Sequence, residues 1–106
     1  MTKTKIRLNA KNGKTELKIL IAHPMEHGRN RDPETQELIP AHFIKTLTVN
    51  QNGKTILSAQ MAGSISKNPY FSFWLKDIAN GDLIRVDWVD NQGLSGSAKQ
   101  RLAEST

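Results

Sequence analysis

The chain has 106 residues, 37% of them apolar, and a net charge of +5 from 15 Lys and Arg against 10 Asp and Glu. That length suits one domain, and the modest apolar fraction suits a thin, two-layer core. There is no cysteine, which excludes disulfides, thiolate catalysis, zinc–cysteine sites and covalent carriage of a group on sulfur.

Turn signals recur along the chain: Asn12-Gly13, Asn52-Gly53, Asn80-Gly81 and Asp90-Asn91-Gln92-Gly93. Asn-Gly tolerates the positive φ of tight hairpin turns. Between these turns apolar residues alternate with period two, the mark of strands with one buried face. The first strand is expected from about Lys3 to Ala10, with Ile6 and Leu8 on one face. The second runs from about Thr15 to Ala22, with Leu17, Ile19 and Ile21 inward and Glu16 and Lys18 outward.

A long break follows. Residues 23–40 read HPMEHGRNRDPETQELIP, with three prolines and many charges. A connection of that length is a crossing loop between sheets or a functional loop.

A third strand is expected from about Ala41 to Asn50, with Phe43, Leu47 and Val49 sharing a face. A fourth spans about Lys54 to Met61, with Leu57, Ala59 and Met61 together. The fifth, about Tyr70 to Lys76, sets Phe71, Phe73 and Leu75 against Tyr70 and Trp74. The sixth, about Leu83 to Asp90, points Ile84, Val86 and Trp88 inward, and the seventh covers about Leu94 to Leu102. Seven antiparallel strands without a convincing helix predict an all-β, immunoglobulin-like β-sandwich over residues 1–106, with a small barrel as the alternative.

Candidate chemistry is sparse. His23, Met25 and His27 offer two imidazoles and a thioether, a donor set suited to copper or zinc. Their spacing fits a helix face, yet Pro24 and Gly28 oppose a helix. Ser64, Ser66, Ser95 and Ser97 lie in glycine-containing segments, none in a nucleophile elbow. Neither Gly63-Ser64 nor the stretch from Gly93 to Ser97 has the spacing of a phosphate loop. Asp87 and Asp90 are read as a strand residue and the turn after it. The basic residues are scattered and the aromatics alternate like core, which argues against a nucleic-acid surface. No apolar run is long enough for a transmembrane helix, and the N-terminus has no apolar core of a signal peptide. Tyr70 and Trp74, on the outward face of the fifth strand, could instead cover a protein interface.

Several segments resemble one family. They are His23-Pro24-Met25-Glu26-x-Gly28, Ile39-Pro40-Ala41-His42-Phe43-Ile44, Asn52-Gly53-Lys54, Ser66-Lys67-Asn68-Pro69-Tyr70 and Trp88-Val89-Asp90-Asn91-x-Gly93. In this order, from about Lys5 to Ala98, they look like the SoxZ family; the stretch Met61-Ala62-Gly63-Ser64 departs from its pattern. The resemblance implies an immunoglobulin-like sandwich that is the non-catalytic, cofactor-free subunit of a periplasmic sulfur-carrier complex in thiosulfate oxidation. Its partner would be SoxY, whose C-terminal Gly-Gly-Cys-Gly-Gly arm holds the sulfur intermediates and visits the other enzymes of sulfur oxidation. A chain of this kind would have no signal peptide of its own and would be exported with SoxY. The net positive charge, Arg29 and Arg31 included, would draw anionic intermediates or an acidic enzyme surface. The resemblance assigns no catalytic residue. For the interface with SoxY the segment 23–44 is favoured, through Met25, Ile39, His42 and Phe43, with Tyr70 and Trp74 as a second patch. Sheet edges awaiting a partner could also pair the isolated chain with itself.

Overall fold

A computed structural model describes residues 3–61, 65 and 67–103. Seven strands are present: β1 (Thr4–Lys11), β2 (Lys14–Ile21), β3 (Ile44–Gln51), β4 (Lys54–Gln60), β5 (Tyr70–Leu75), β6 (Leu83–Asp90) and β7 (Ser95–Arg101). They form two antiparallel sheets, one ordered β1-β2-β5 and the other β4-β3-β6-β7. This is the expected β-sandwich, in an elongated body of 54 × 23 × 21 Å.

The core follows the period-two pattern. Leu17, Ile19 and Ile21 of β2 meet Leu47 and Val49 of β3 and Ile84, Val86 and Trp88 of β6, all buried. Ile6 and Leu8, Leu57 and Met61, and Phe71 and Phe73 close the layer from its sides, partly buried. Burying apolar area at about 25 cal/mol per Å² makes this layer the main stabilising contribution.

Strand β3 departs from simple alternation. Ile44, Leu47 and Val49 are all fully buried, although 44 and 47 have opposite parity. The β3–β6 register shifts between Ile44 and Thr46, and the extra residue of such a bulge turns the later side chains to the other face. Phe43, expected in line with Leu47, therefore lies before the strand and is only half-buried.

The Asn-Gly pairs do two different jobs. In Asn12-Gly13 and Asn52-Gly53 both residues have positive φ, which closes the β1–β2 and β3–β4 hairpins with the favoured mirror-image turn. In Asn80-Gly81 only the glycine does. There the Asp82 amide donates to the Ala79 carbonyl at 3.0 Å, in a turn that carries the chain from one sheet to the other.

Candidate functional site

Segment 23–43 is an ordered ribbon. Glu26 and His42 pair as an antiparallel bridge, exchanging two backbone hydrogen bonds of 2.7 Å. Further out, Ile39 N–H donates to the Asn30 carbonyl at 2.8 Å, and Arg31 pairs with Leu38. At the tip the Asp32 carboxylate accepts the Glu34 amide at 2.8 Å, the local bond by which Asp sets a turn. The arm returns to its origin because Glu26 and His42 sit side by side. Gly28 allows this close approach: a Cβ there would lie 3.1 Å from that of Ala41.

The base of the arm is gripped from two directions. From the β6–β7 turn, Asn91 exchanges backbone and side-chain bonds with Phe43: its N–H donates to the Phe43 carbonyl at 3.0 Å, and its Oδ1 accepts the Phe43 amide at 2.8 Å. The side-chain amides of Asn91 and Gln92 both donate to the Ala41 carbonyl. From the segment before β5, Asn68 N–H donates to the His23 carbonyl at 2.8 Å, while Asn68 Oδ1 accepts the His23 amide at 3.0 Å.

At the centre lies Asp90, fully buried at the end of β6. Its Oδ2 accepts His23 Nε2 at 3.0 Å and His42 Nε2 at 2.6 Å. Its Oδ1 accepts the backbone amides of Gln92 at 2.9 Å and Leu94 at 2.8 Å. Burial pushes this carboxyl upward, but the bonds from His23, His42, Leu94 and Gln92 outweigh it and hold it below the ordinary 3.8. The buried His23 ring stands edge-on to His42, with centroids 4.6 Å apart, and to Trp88, at 5.3 Å. The Trp88 indole N–H donates to Thr4 Oγ1 at 2.8 Å. Among the described residues no buried side-chain polar atom here lacks a partner.

Two imidazoles and a carboxylate converging within 4.8 Å form a donor set that could hold a metal. The tautomer of His23 opposes this. Its Nδ1 accepts the Met25 amide at 3.1 Å, so its proton sits on Nε2 and points at Asp90. A nitrogen carrying a proton has no lone pair to give a metal. The set suggested by sequence, His23, Met25 and His27, is not the one the fold assembles. The Met25 sulfur packs in the core and accepts the Ile44 amide at 3.4 Å. His27 Nδ1 accepts the Arg29 amide at 2.9 Å, at the exposed side of the arm.

The predicted interface residues separate into three groups. Met25 belongs to the core, with its backbone held at a positive φ of 49°, and has no surface to offer a partner. Ile39, His42 and Phe43 are half-buried on the arm and its base. His42 opens into a shallow groove with Ala22, Pro24, Lys67, Asn68 and Leu94. Tyr70 and Trp74 are more than half exposed on the outer face of β5. Asp90, the residue that unites the site, reads from sequence only as part of the turn after the sixth strand. Its partners are 67 and 48 residues away, and no local pattern marks such a pairing. Asp87, read as a strand residue, lies on β6 as expected and accepts Arg85 Nε–H at 3.0 Å on the outer face of the sheet. Ser95 and Ser97 lie on exposed positions of β7, and neither is bonded to a histidine in the described structure; Ser64 and Ser66 lie outside the described residues.

The segments singled out by resemblance are thus distributed unevenly in space. Those containing His23, His42, Asn68 and Asp90 meet at one end of the sandwich, and only Asn52-Gly53 lies elsewhere. A search of the curated proteins gives no match. The family model described as sulphur oxidation protein SoxZ matches residues 4–101, a span that takes in every strand and the whole arm, and the chain therefore belongs to the SoxZ family, with a role in sulfur oxidation.

Proposed function

We propose that this chain is the non-catalytic subunit of a periplasmic sulfur-carrier complex in thiosulfate oxidation. It binds and supports SoxY, the subunit whose C-terminal cysteine holds the covalent intermediates, and is exported together with it. The observation that carries this reading is a SoxZ family match over residues 4–101 in a chain without cysteine. A sulfane sulfur is held by attack or release of a thiolate, and these 106 residues have none to contribute.

The arm and its base support the reading. A loop serving only as a connection between sheets has no need of a buried carboxylate and two histidines at its root. Ordering the arm before association lowers the entropic cost of binding, so a rigid root suits a surface that must present Ile39, His42 and Phe43 to another protein. Arg29, exposed on the arm, adds positive charge to it, suited to the anionic intermediates or to an acidic face of the enzymes that process them.

The test is co-expression with a protein ending in Gly-Gly-Cys-Gly-Gly. A stable heterodimer is expected, weakened when Ile39 and Phe43 are replaced by Ser. A pair that does not associate at micromolar concentration refutes the proposal. Omitting this chain from a reconstituted thiosulfate-oxidising mixture is expected to abolish turnover without altering the partner's cysteine.

A further inference from the structure

The free edge of β5 is unlike the other three sheet edges. β1, β4 and β7 each carry Lys, a residue that discourages edge-to-edge pairing. β5 reads Tyr-Phe-Ser-Phe-Trp-Leu, with no charge, proline or bulge. Among the described residues only one of its two sides is used, by β2.

Which backbone groups are free follows from the register. Ile21 N–H donates to the Pro69 carbonyl at 3.1 Å, extending the β2–β5 ladder in which Ile19 faces Phe71, Leu17 faces Phe73 and Thr15 faces Leu75. Antiparallel pairs alternate between bonded and unbonded residues. Residues 69, 71, 73 and 75 therefore direct their main-chain groups to β2, and Tyr70, Ser72 and Trp74 direct theirs outward. No backbone bond outside the strand ladders involves these three among the described residues.

The strand is also close to a palindrome about Ser72. An antiparallel pairing with a two-fold axis at Ser72 sets Tyr70 against Trp74, Phe71 against Phe73 and Ser72 against Ser72. The groups facing across are those of 70, 72 and 74, so this register joins free donors to free acceptors and forms about six hydrogen bonds. Tyr–Trp pairs then lie on the outer face and Phe–Phe pairs on the inner one, each twice, and cross-strand aromatic pairs are among the favourable ones. Beyond the strand, the same register brings exposed Lys67 toward exposed Asp77 of the second copy. The +5 charge of each chain opposes association, but none of it lies on the strand.

We infer that the chain in isolation forms a two-fold dimer through β5, centred on Ser72. The joined sheet has the order β1-β2-β5 followed by β5-β2-β1 of the second copy. This surface is separate from the arm, so the proposed heterodimer neither requires it nor is refuted by its failure.

A single cysteine provides the test, because the chain has no other. Ser72→Cys places two sulfurs across the axis, on α-carbons about 5.5 Å apart, within disulfide range. Mild oxidation of the folded protein is expected to give a covalent dimer rapidly, with Ser58→Cys on β4 and Ser97→Cys on β7 far slower. Ser72→Pro removes the central outward N–H and no bond to β2. It is expected to weaken dimerisation at least about tenfold by sedimentation while the circular dichroism of the fold is retained. A chain that stays monomeric at its highest soluble concentration overturns the inference. So does a dimer indifferent to Ser72→Pro, or a Ser72→Cys variant that cross-links no faster than the controls. If the isolated chain is monomeric and Ser72→Pro instead blocks heterodimer formation, the edge belongs to a different protein and the second-copy reading is lost.

Discussion

The base of the arm and the edge of β5 solve the same problem in opposite ways. Both expose main-chain groups at the margin of a sheet. At the arm base those groups are met from within, by Asn68, Asn91, Gln92 and the Asp90 carboxylate. At β5 the outward groups of Tyr70, Ser72 and Trp74 have no such partners in the described structure, and the side chains around them are aromatic. Internal satisfaction gives a rigid surface that another protein can use without ordering it. Leaving groups unmet makes a surface whose stability depends on what covers it.

That contrast implies a graded set of effects. The largest is expected at Asp90. Asp90→Ala removes the acceptor of two imidazole N–H groups and two amides. Buried donors without partners cost about 1–3 kcal/mol each, so a loss of about 4 kcal/mol in urea denaturation is expected, with release of the arm seen as faster amide exchange at Glu26 and His42. A loss under 1 kcal/mol would show that the arm base is not rigidly held.

Acid should act on the same residue. The Asp90 carboxyl is depressed in the folded state, so the unfolded state takes up its proton first as pH falls. Its contribution to stability is whole above the unfolded value near 3.8 and is lost as pH drops below that through the folded value. Asp82 is depressed as well, through bonds from Asn52, Ala79 and Gln51 that outweigh its slight desolvation, and it is only partly buried. Asp90→Asn is therefore expected to flatten the acid limb of the stability curve more than Asp82→Asn. Equal flattening would place the acid sensitivity outside the arm base.

An intermediate effect is expected at Gly96 on β7. A Cβ there would lie 2.6 Å from the Trp88 indole nitrogen, and Trp88 is held between His23 and Thr4. Gly96→Ala should cost about 2 kcal/mol and alter the near-ultraviolet dichroism of Trp88. An unchanged spectrum would mean that the indole has room to move.

The smallest effect on the fold belongs to β5. Trp74→Ser changes an exposed side chain and is expected to shift monomer stability by less than about 0.5 kcal/mol, measured at high dilution, while association falls. A larger loss in the monomer would make Trp74 part of the fold instead of its edge.

Much of this was legible in the sequence, for a physical reason. A strand half-buried in a sheet repeats its environment every two residues. The inward faces of β2, β5 and β6 could thus be read directly, and the outward placement of Tyr70 and Trp74 with them. The hairpin turns were legible because Asn-Gly meets a local requirement for positive φ. Reading failed where a local rule is broken by something distant. The bulge in β3 lies where the chain leaves the arm and begins to pair with β6, and it moved Phe43 off the face of Leu47. Met25 reads from sequence as a thioether donor and an interface residue, yet the return of the arm carries it into the core.

Sequence alone determined that this chain is all-β with seven strands, that it lacks a thiol, and that the stretch from Tyr70 to Leu75 is uncharged and nearly palindromic. Each of these is a property of composition or of near neighbours along the chain. Only the tertiary structure decided that His23, His42, Asn68 and Asp90 form one site. Their bonds close loops of 45 to 67 residues, and such contacts exist only once the two sheets have packed. The same holds for the outward direction of the Tyr70, Ser72 and Trp74 main chain. It depends on which side β2 occupies, and that is settled by pairing between strands far apart in the chain.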